Sequence, residues 1–308
     1  MSVDSVTQAI DDAVERVGDV DPRYLAVALG LQILILIFRS LAWRNVLKAA
    51  YPETRVPVFG LVCSYAAGAA MNGFVPARGG EVAKVGLMRT QLPGSTVPTI
   101  AASLSVATIF DAVLGAALVV TLWAIGALPA LPVPAVGLGG LTLALGALGV
   151  AALAFAVFFG LRKARVRRVA DDALRGLSVL RTPRRFLTTV VPFQLAAWAC
   201  RIGVVMAVLG AYHVDAGLQT GVLLVVVAGL STAVPVPGGA GAQQLFSTYA
   251  LQGTLSAASA VSFSLGMQAT VAVINTTLGF LAAMVLFRTL RPVAAVRAVR
   301  QGAPVRRR

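Results

Sequence analysis

The stretch Asn72-Gly-Phe-Val-Pro-Ala-Arg-Gly-Gly-Glu81 cannot continue the apolar helix that leads into it. Pro76 removes a backbone donor and fixes φ, and Gly73, Gly79 and Gly80 loosen the chain, so a helix arriving here breaks. Broken backbone at membrane depth survives only where protein buries it or water reaches it. An arginine and a glutamate at that depth are costly and usually functional. A second break of the same kind lies far downstream, in Ser231-Thr-Ala-Val-Pro-Val-Pro-Gly-Gly-Ala-Gly-Ala-Gln-Gln244. Two interrupted apolar segments, one in each half, point to a transporter-like site where two repeats meet.

Composition places both breaks in a membrane. Of 308 residues, 58% are hydrophobic and only 12% charged, against about 25% charged in a soluble domain. Apolar runs of about 20 residues recur, which means helices rather than a barrel. The expected fold is therefore all-α and polytopic, with no room for a large soluble catalytic domain. The net charge is +14, but the arginines collect in two short segments, as the positive-inside rule requires of cytoplasmic loops. No nucleic-acid partner is needed to account for them, and anionic lipid headgroups are attracted to the same segments. Cys63 and Cys200 sit in apolar runs and read as small buried hydrophobes. His213 is the only histidine and falls in a loop. No metal, cofactor or His-based catalysis is expected.

The chain then divides as follows. Residues 1–21 are acidic, unlike a basic leader, and their apolar spacing suggests an amphipathic helix. A first transmembrane half covers 22–160. It opens with a span from Tyr24 to about Trp43, whose cytoplasmic end is marked by Arg39, Arg44 and Lys48. The broken segment 57–92 follows, then spans from Pro98 to Gly126 and from about Val136 to Gly160. A basic cytoplasmic loop occupies 161–185, with a surface helix over Arg165–Leu180. The second half, 186–288, holds a span from Phe186 to Gly210, the broken segment 218–252 and a long span from Ala257 to Phe287. A basic tail, 289–308, ends the chain. The charge pattern reads each broken segment as a re-entrant hairpin, entering from opposite sides as in an inverted repeat. Counting each broken segment as one or two spans gives six to eight spans instead of five.

The residues of the two breaks resemble a known family. Asn72 with Pro76-Ala-Arg78-Gly-Gly80-Glu81 is similar to the Asn-x-x-x-Pro-Gly-Arg-x-Gly-Glu element of the lysylphosphatidylglycerol synthase transmembrane region, the flippase-like family. Pro235-Val-Pro237-Gly238-Gly239-Ala-Gly241 resembles that family's second element, Pro-x-Pro-Gly-Gly-x-Gly. Asp111 falls where the family often has an aspartate on its third span. The resemblance covers roughly residues 20–290. Three positions depart: Ala77 for glycine, Thr108 for an arginine three residues before Asp111, and Gln244 for glutamate. The last removes a potential charge. In the synthase that names the family, this region moves an aminoacylated lipid between leaflets, and a separate soluble domain makes that lipid. Other relatives are linked to export of lipids, hopanoids and polyprenyl-linked glycans. The resemblance thus implies lipid handling in a bacterial cytoplasmic membrane.

Under that reading, Arg78 presents its planar fork to a phosphate. Helix N-termini at Gly80-Glu81 or after Gly241 favour the same anion, and glycines such as Gly79 let the backbone approach a headgroup closely. Glu81 and Asp111 balance Arg78, Lys84 or Arg201, or bind a cationic part of a headgroup. Asn72, Pro76, Pro235, Pro237, Gly238, Gly239 and Gln244 shape the cavity. Each residue also has a structural reading. Arg78 and Glu81 can neutralise each other at i, i+3, Asp111 and Arg201 can simply pair, Asn72 can cap a broken helix end, and Gln244 can satisfy freed backbone groups. The expected function is translocation of a lipid or lipid-linked substrate without enzymatic chemistry. The alternative is a membrane scaffold that partners a glycosyltransferase or lipid-modifying enzyme.

Overall fold

The computed structural model describes residues 21–74, 79–126, 164–231, 241–252 and 254–287, all of it helix and connecting turn. The helices are α1 (Pro22–Ala50), α2 (Val58–Phe74), α3 (Gly79–Gln91), α4 (Val97–Ala124), α5 (Ala164–Gly176), α6 (Pro183–Thr189), α7 (Val191–Ala211), α8 (Leu218–Ser231), α9 (Ala242–Ala250) and α10 (Ala257–Phe287). A 3-10 turn at Ser178–Arg181 joins α5 to α6. Among the described residues, four stretches are long and apolar enough to cross a membrane: Pro22–Ala50, Val97–Leu122, Pro183–Ala211 and Ala257–Leu286. They match four of the expected spans. The fifth, 136–160, lies outside the described residues, as do 1–20 and the tail 289–308.

α1 begins where its sequence directs. The Asp21 carboxylate accepts from the Arg23 N–H at 2.9 Å, and Pro22 occupies the first position, where its missing donor costs nothing. The helix then runs beyond Trp43 to Ala50. That extension corrects the expectation for Arg39. It is not a marker at the cytoplasmic end of the span but a buried residue inside it, 8% exposed.

α1 and α7 pack antiparallel. The Asp21 N–H donates to the Ala211 carbonyl at one end, Leu31 lies against Gly203 in the middle, and Asn45 donates to the Thr189 carbonyl at the other end. Two apolar cores form at these opposite ends. Trp43, Leu47, Leu61, Met88, Leu92 and Val179 belong to one, and Ala28, Leu209, Val214, Leu251 and Phe263 to the other. Lys48, Arg55, Arg89, Arg181 and Arg184 all lie on segments that meet at the first. The helix expected over 165–180 is α5, Ala164–Gly176, and it docks here: Thr99 Oγ1 donates to the Asp172 carbonyl at 2.8 Å. His213 lies in the loop at the other end, in the left-handed region at φ 53°.

The two broken segments are short helix pairs. α2 and α3 have 17 and 13 residues, or roughly 26 and 20 Å at 1.5 Å per residue. α8 and α9 have 14 and 9 residues, or roughly 21 and 14 Å. None reaches the ~30 Å of a hydrocarbon core. α2 and α3 run antiparallel: Gln91 donates to Ser64 Oγ at their open ends, and Asn72 accepts from Gly80 near the break. Those open ends lie at the first of the two apolar cores, the end that carries the basic residues. The start of α8 and the end of α9 lie in the opposite core, so the two pairs open to opposite ends of the bundle.

Small residues set how closely these pairs approach, as expected where packing rather than water drives helix association. A Cβ at Gly68 would lie 2.8 Å from the Gly80 carbonyl, and one at Gly279 would lie 2.8 Å from the Ala66 carbonyl. Gly279→Leu should therefore force α10 off α2 and cost about 1–3 kcal/mol. Gly30, where an added Cβ meets nothing within 4 Å, supplies the control. Melting curves in detergent, read by fluorescence-detected size exclusion, should show a lowered midpoint for Gly279→Leu and an unchanged or raised one for Gly30→Ala.

Candidate functional site

Asp111 is the centre of the polar interior. One carboxylate oxygen accepts from Arg39 Nη1 of α1 at 2.7 Å, and the other accepts from Trp198 Nε1 of α7 at 2.8 Å. With Thr108 one turn earlier, α4 supplies no cation of its own, and Arg39 comes from the neighbouring helix. Arg201, one turn beyond Trp198, lays its guanidinium over the indole ring with Cζ 5.7 Å from the centroid. Arg201 has no hydrogen bond or ion pair with any carboxylate among the described residues, and it is only partly buried. Two guanidiniums therefore lie within electrostatic range of one carboxylate.

A second charged group stands beside the first. Lys84 Nζ donates to Glu81 Oε1 at 2.8 Å and lies 4.1 Å from the centre of the Tyr65 ring. Lys84 is 5% exposed, while the Glu81 side chain remains 39% exposed. Tyr65 stands edge-on to Trp43, whose indole N–H donates to Ser103 Oγ at 2.8 Å. Arg39 lies within electrostatic range of Tyr65 and Glu81 as well as Asp111. The two groups are thus one cluster, built from α1, α2, α3, α4 and α7.

Both breaks have a capped restart. Asn72 Oδ1 accepts from the Gly80 N–H at 2.9 Å, so one of the free donors at the start of α3 is already satisfied within the chain. At the second break Gly241 has φ 82°, a left-handed conformation natural to glycine, and its N–H donates to Gln244 Oε1 at 2.5 Å. Gln244 Nε2 then donates to Gln268 Oε1 of α10 at 3.0 Å. A glutamate here would keep the first bond, and the second would form only with the Gln268 amide turned over to donate. Both broken segments also contact α10, at points about three turns apart. Gln244 meets it at Gln268 and Ala70 meets it near Gly279. Between them the Asn275 side chain accepts from Gln32 Nε2 of α1 at 2.7 Å.

Of the residues singled out in the sequence, Asn72, Gly79, Gly80, Glu81 and Lys84 are brought together at the start of α3. Asp111 and Arg201 meet across Trp198, but Asp111 bonds to Arg39 rather than to Arg201. Glu81 takes Lys84 as its partner. Gly241 and Gln244 form the second cap. Pro76, Arg78, Pro235, Pro237, Gly238 and Gly239 lie outside the described residues. Sequence reasoning missed Arg39, Tyr65 and Trp198. Two signals were present: Arg39 stands in the run Ile37-Phe38-Arg39-Ser40-Leu41, apolar on both sides, and Trp198 and Arg201 share a helix face at i, i+3.

Asp111→Ala leaves Arg39 buried without its carboxylate and should cost about 3–5 kcal/mol. Replacing both charges, Arg39→Met with Asp111→Leu, should restore part of that loss, since a buried ion pair gains little over apolar packing while the Trp198 indole N–H still loses its acceptor. Thermal melting of the single and double variants in detergent reads this directly. Equal destabilisation of both would show that the helices depend on the shapes of these side chains and not on their charges.

A model of the lysylphosphatidylglycerol synthase TM region matches residues 5–279 of the chain. No curated protein and no solved structure matches it. The matched region takes in the cluster around Asp111, both breaks and their caps, on helices of which four are long enough to span a membrane. The chain is a multi-pass membrane protein of the lysylphosphatidylglycerol synthase transmembrane-region family.

Proposed function

We propose that this protein moves a phosphate-bearing lipid, or a lipid-linked substrate, between the leaflets of a bacterial cytoplasmic membrane. The observation that carries this reading is Arg201. A guanidinium at mid-bundle, stacked on Trp198 and lacking a carboxylate partner among the described residues, is expensive to keep unless an anion visits it. Arg39 and Lys84 are each neutralised by a carboxylate, so the net positive charge of the cluster is that of Arg201. A phosphate accepts two parallel hydrogen bonds from such a fork. The partly exposed Glu81 faces the same region and suits a cationic headgroup substituent.

In this reading the basic end of the bundle faces the cytoplasm. The α2–α3 pair is a re-entrant hairpin from that side, and α8–α9 is its inverted counterpart from the other. Their capped restarts bound a polar cavity beside the middle of α10, while the acyl chains stay in the bilayer. No covalent bond is made or broken. The sequence has no Gly-x-x-x-x-Gly-Lys-Ser/Thr phosphate loop, so nucleotide hydrolysis by this chain is not the motor.

The test is movement of a fluorescent phospholipid in vesicles holding the purified protein, read by its accessibility to a membrane-impermeant reductant. A charge-assisted hydrogen bond is worth about 1.5–3 kcal/mol. Arg201→Gln should therefore slow movement roughly 10-fold or more, with Arg201→Lys between it and the wild type. Movement equal in all three would remove Arg201 from the site. A wild type that moves none of several lipids, yet purifies with a membrane glycosyltransferase or lipid-modifying enzyme, would favour the scaffold reading.

A further inference from the structure

Outside the charged cluster, a cavity of about 430 Å³ opens between the outer half of α1 and the facing turns of α10. The Gln32–Asn275 hydrogen bond joins the same two helices further toward the cationic end. Leu25, Leu29, Ala269, Val273 and Ile274 make its walls, and no charged residue lines it. Tyr212 and Thr270 supply its hydroxyls, 3.5 Å from each other. Tyr212 is held edge-on against Phe263, with ring centres 5.7 Å apart, and lies over Gly266, where a Cβ would come within 2.6 Å of the phenol oxygen.

The side of this crevice that faces away from the bundle is continuous with apolar surface: Leu29 is 39% and Val273 64% exposed. Both helices are long and apolar enough to span the membrane. At that depth water is absent, so hydrocarbon fills such a void. The volume falls in the range of ligand sites, roughly 300–1,000 Å³. The arrangement is also polarised. The hydroxyls of Tyr212 and Thr270 stand toward the end of the bundle opposite the cationic face, and the apolar walls continue from them toward mid-bundle.

We infer that this crevice is an acyl-chain site. It takes one chain of a lipid from the leaflet opposite the cationic face, with its ester carbonyl at the Tyr212 and Thr270 hydroxyls and its methyl end toward Gln32 and Asn275. The inference rests on the lipid-carrier reading and adds to it the place where the substrate's tail is held. Ordinary boundary lipid would touch every exposed apolar face alike. A chain held here contacts two walls and a polar corner.

Photolabelling of the full chain tests the assignment. The protein is placed in nanodiscs of phosphatidylglycerol in which a fraction of the lipid carries a mid-chain diazirine, and labelled peptides are mapped by mass spectrometry. Labelling should concentrate on residues 25–29 and 269–274, several-fold above the lipid-facing α4 surface around Val113 and Val120. Ala26→Phe and Ala269→Phe fill the crevice from opposite walls, and each should lower the crevice signal while leaving the α4 signal unchanged. Uniform labelling of crevice and α4 in the wild type, or a crevice signal that survives both fillings, overturns the assignment. Selective labelling in a protein that moves no lipid would keep the chain site and remove the transport reading. Movement with uniform labelling would do the reverse.

Discussion

The bundle depends on the pairing of Arg39 with Asp111. Charges inside an apolar bundle cannot be left alone, and this pair is completed by Trp198, which occupies the second carboxylate oxygen. Three helices far apart in the chain, α1, α4 and α7, are thereby held at one depth. Apolar packing between membrane helices does not choose a register strongly, because lipid is as apolar as leucine. A bidirectional polar contact does. Arg201 is placed by this register rather than contributing to it: it stacks on the face of the indole whose edge is committed to Asp111.

The breaks obey the same accounting of polar groups. A helix restarted at membrane depth has free N–H groups that water cannot satisfy. In both halves a side-chain amide does so from within the chain, Asn72 for Gly80 and Gln244 for Gly241. The solutions differ in detail. Asn72 reaches across from the preceding helix, while Gln244 folds back from within its own first turn and also ties α9 to α10. The two short pairs open to opposite ends of the bundle, and each contacts α10, through Gln244 at Gln268 and through Ala70 near Gly279.

Much of this was legible in the sequence because membrane helices are long, apolar and bounded by prolines, glycines and arginines. The helix from Ala257 to Phe287 is reproduced by α10, and a helix within 165–180 by α5. The breaks were visible as Pro-Gly clusters, and the capping reading of Asn72 and Gln244 follows from their chemistry. Pairing was not legible. Arg39 carries the sign and nearly the position of a positive-inside marker, and only the extension of α1 to Ala50 shows it to be interior. Which cation answers Asp111 depends on how α1 and α4 sit side by side, and a one-dimensional pattern does not contain that information. Trp198 reads as a core aromatic until its indole N–H is seen to point at a carboxylate.

The contact between α1 and α10 has a consequence in time. α1 is fastened to α7 along its length, and α10 to α2 and α9, but α1 and α10 meet chiefly at Gln32 and Asn275. A hydrogen bond between membrane helices is worth about 1 kcal/mol. Taken alone, such a bond is open on the order of one sixth of the time at room temperature, since 1 kcal/mol is less than twofold RT. The seam between these two helices is therefore a joint that thermal motion works continually, while the charged cluster a few turns away stays shut.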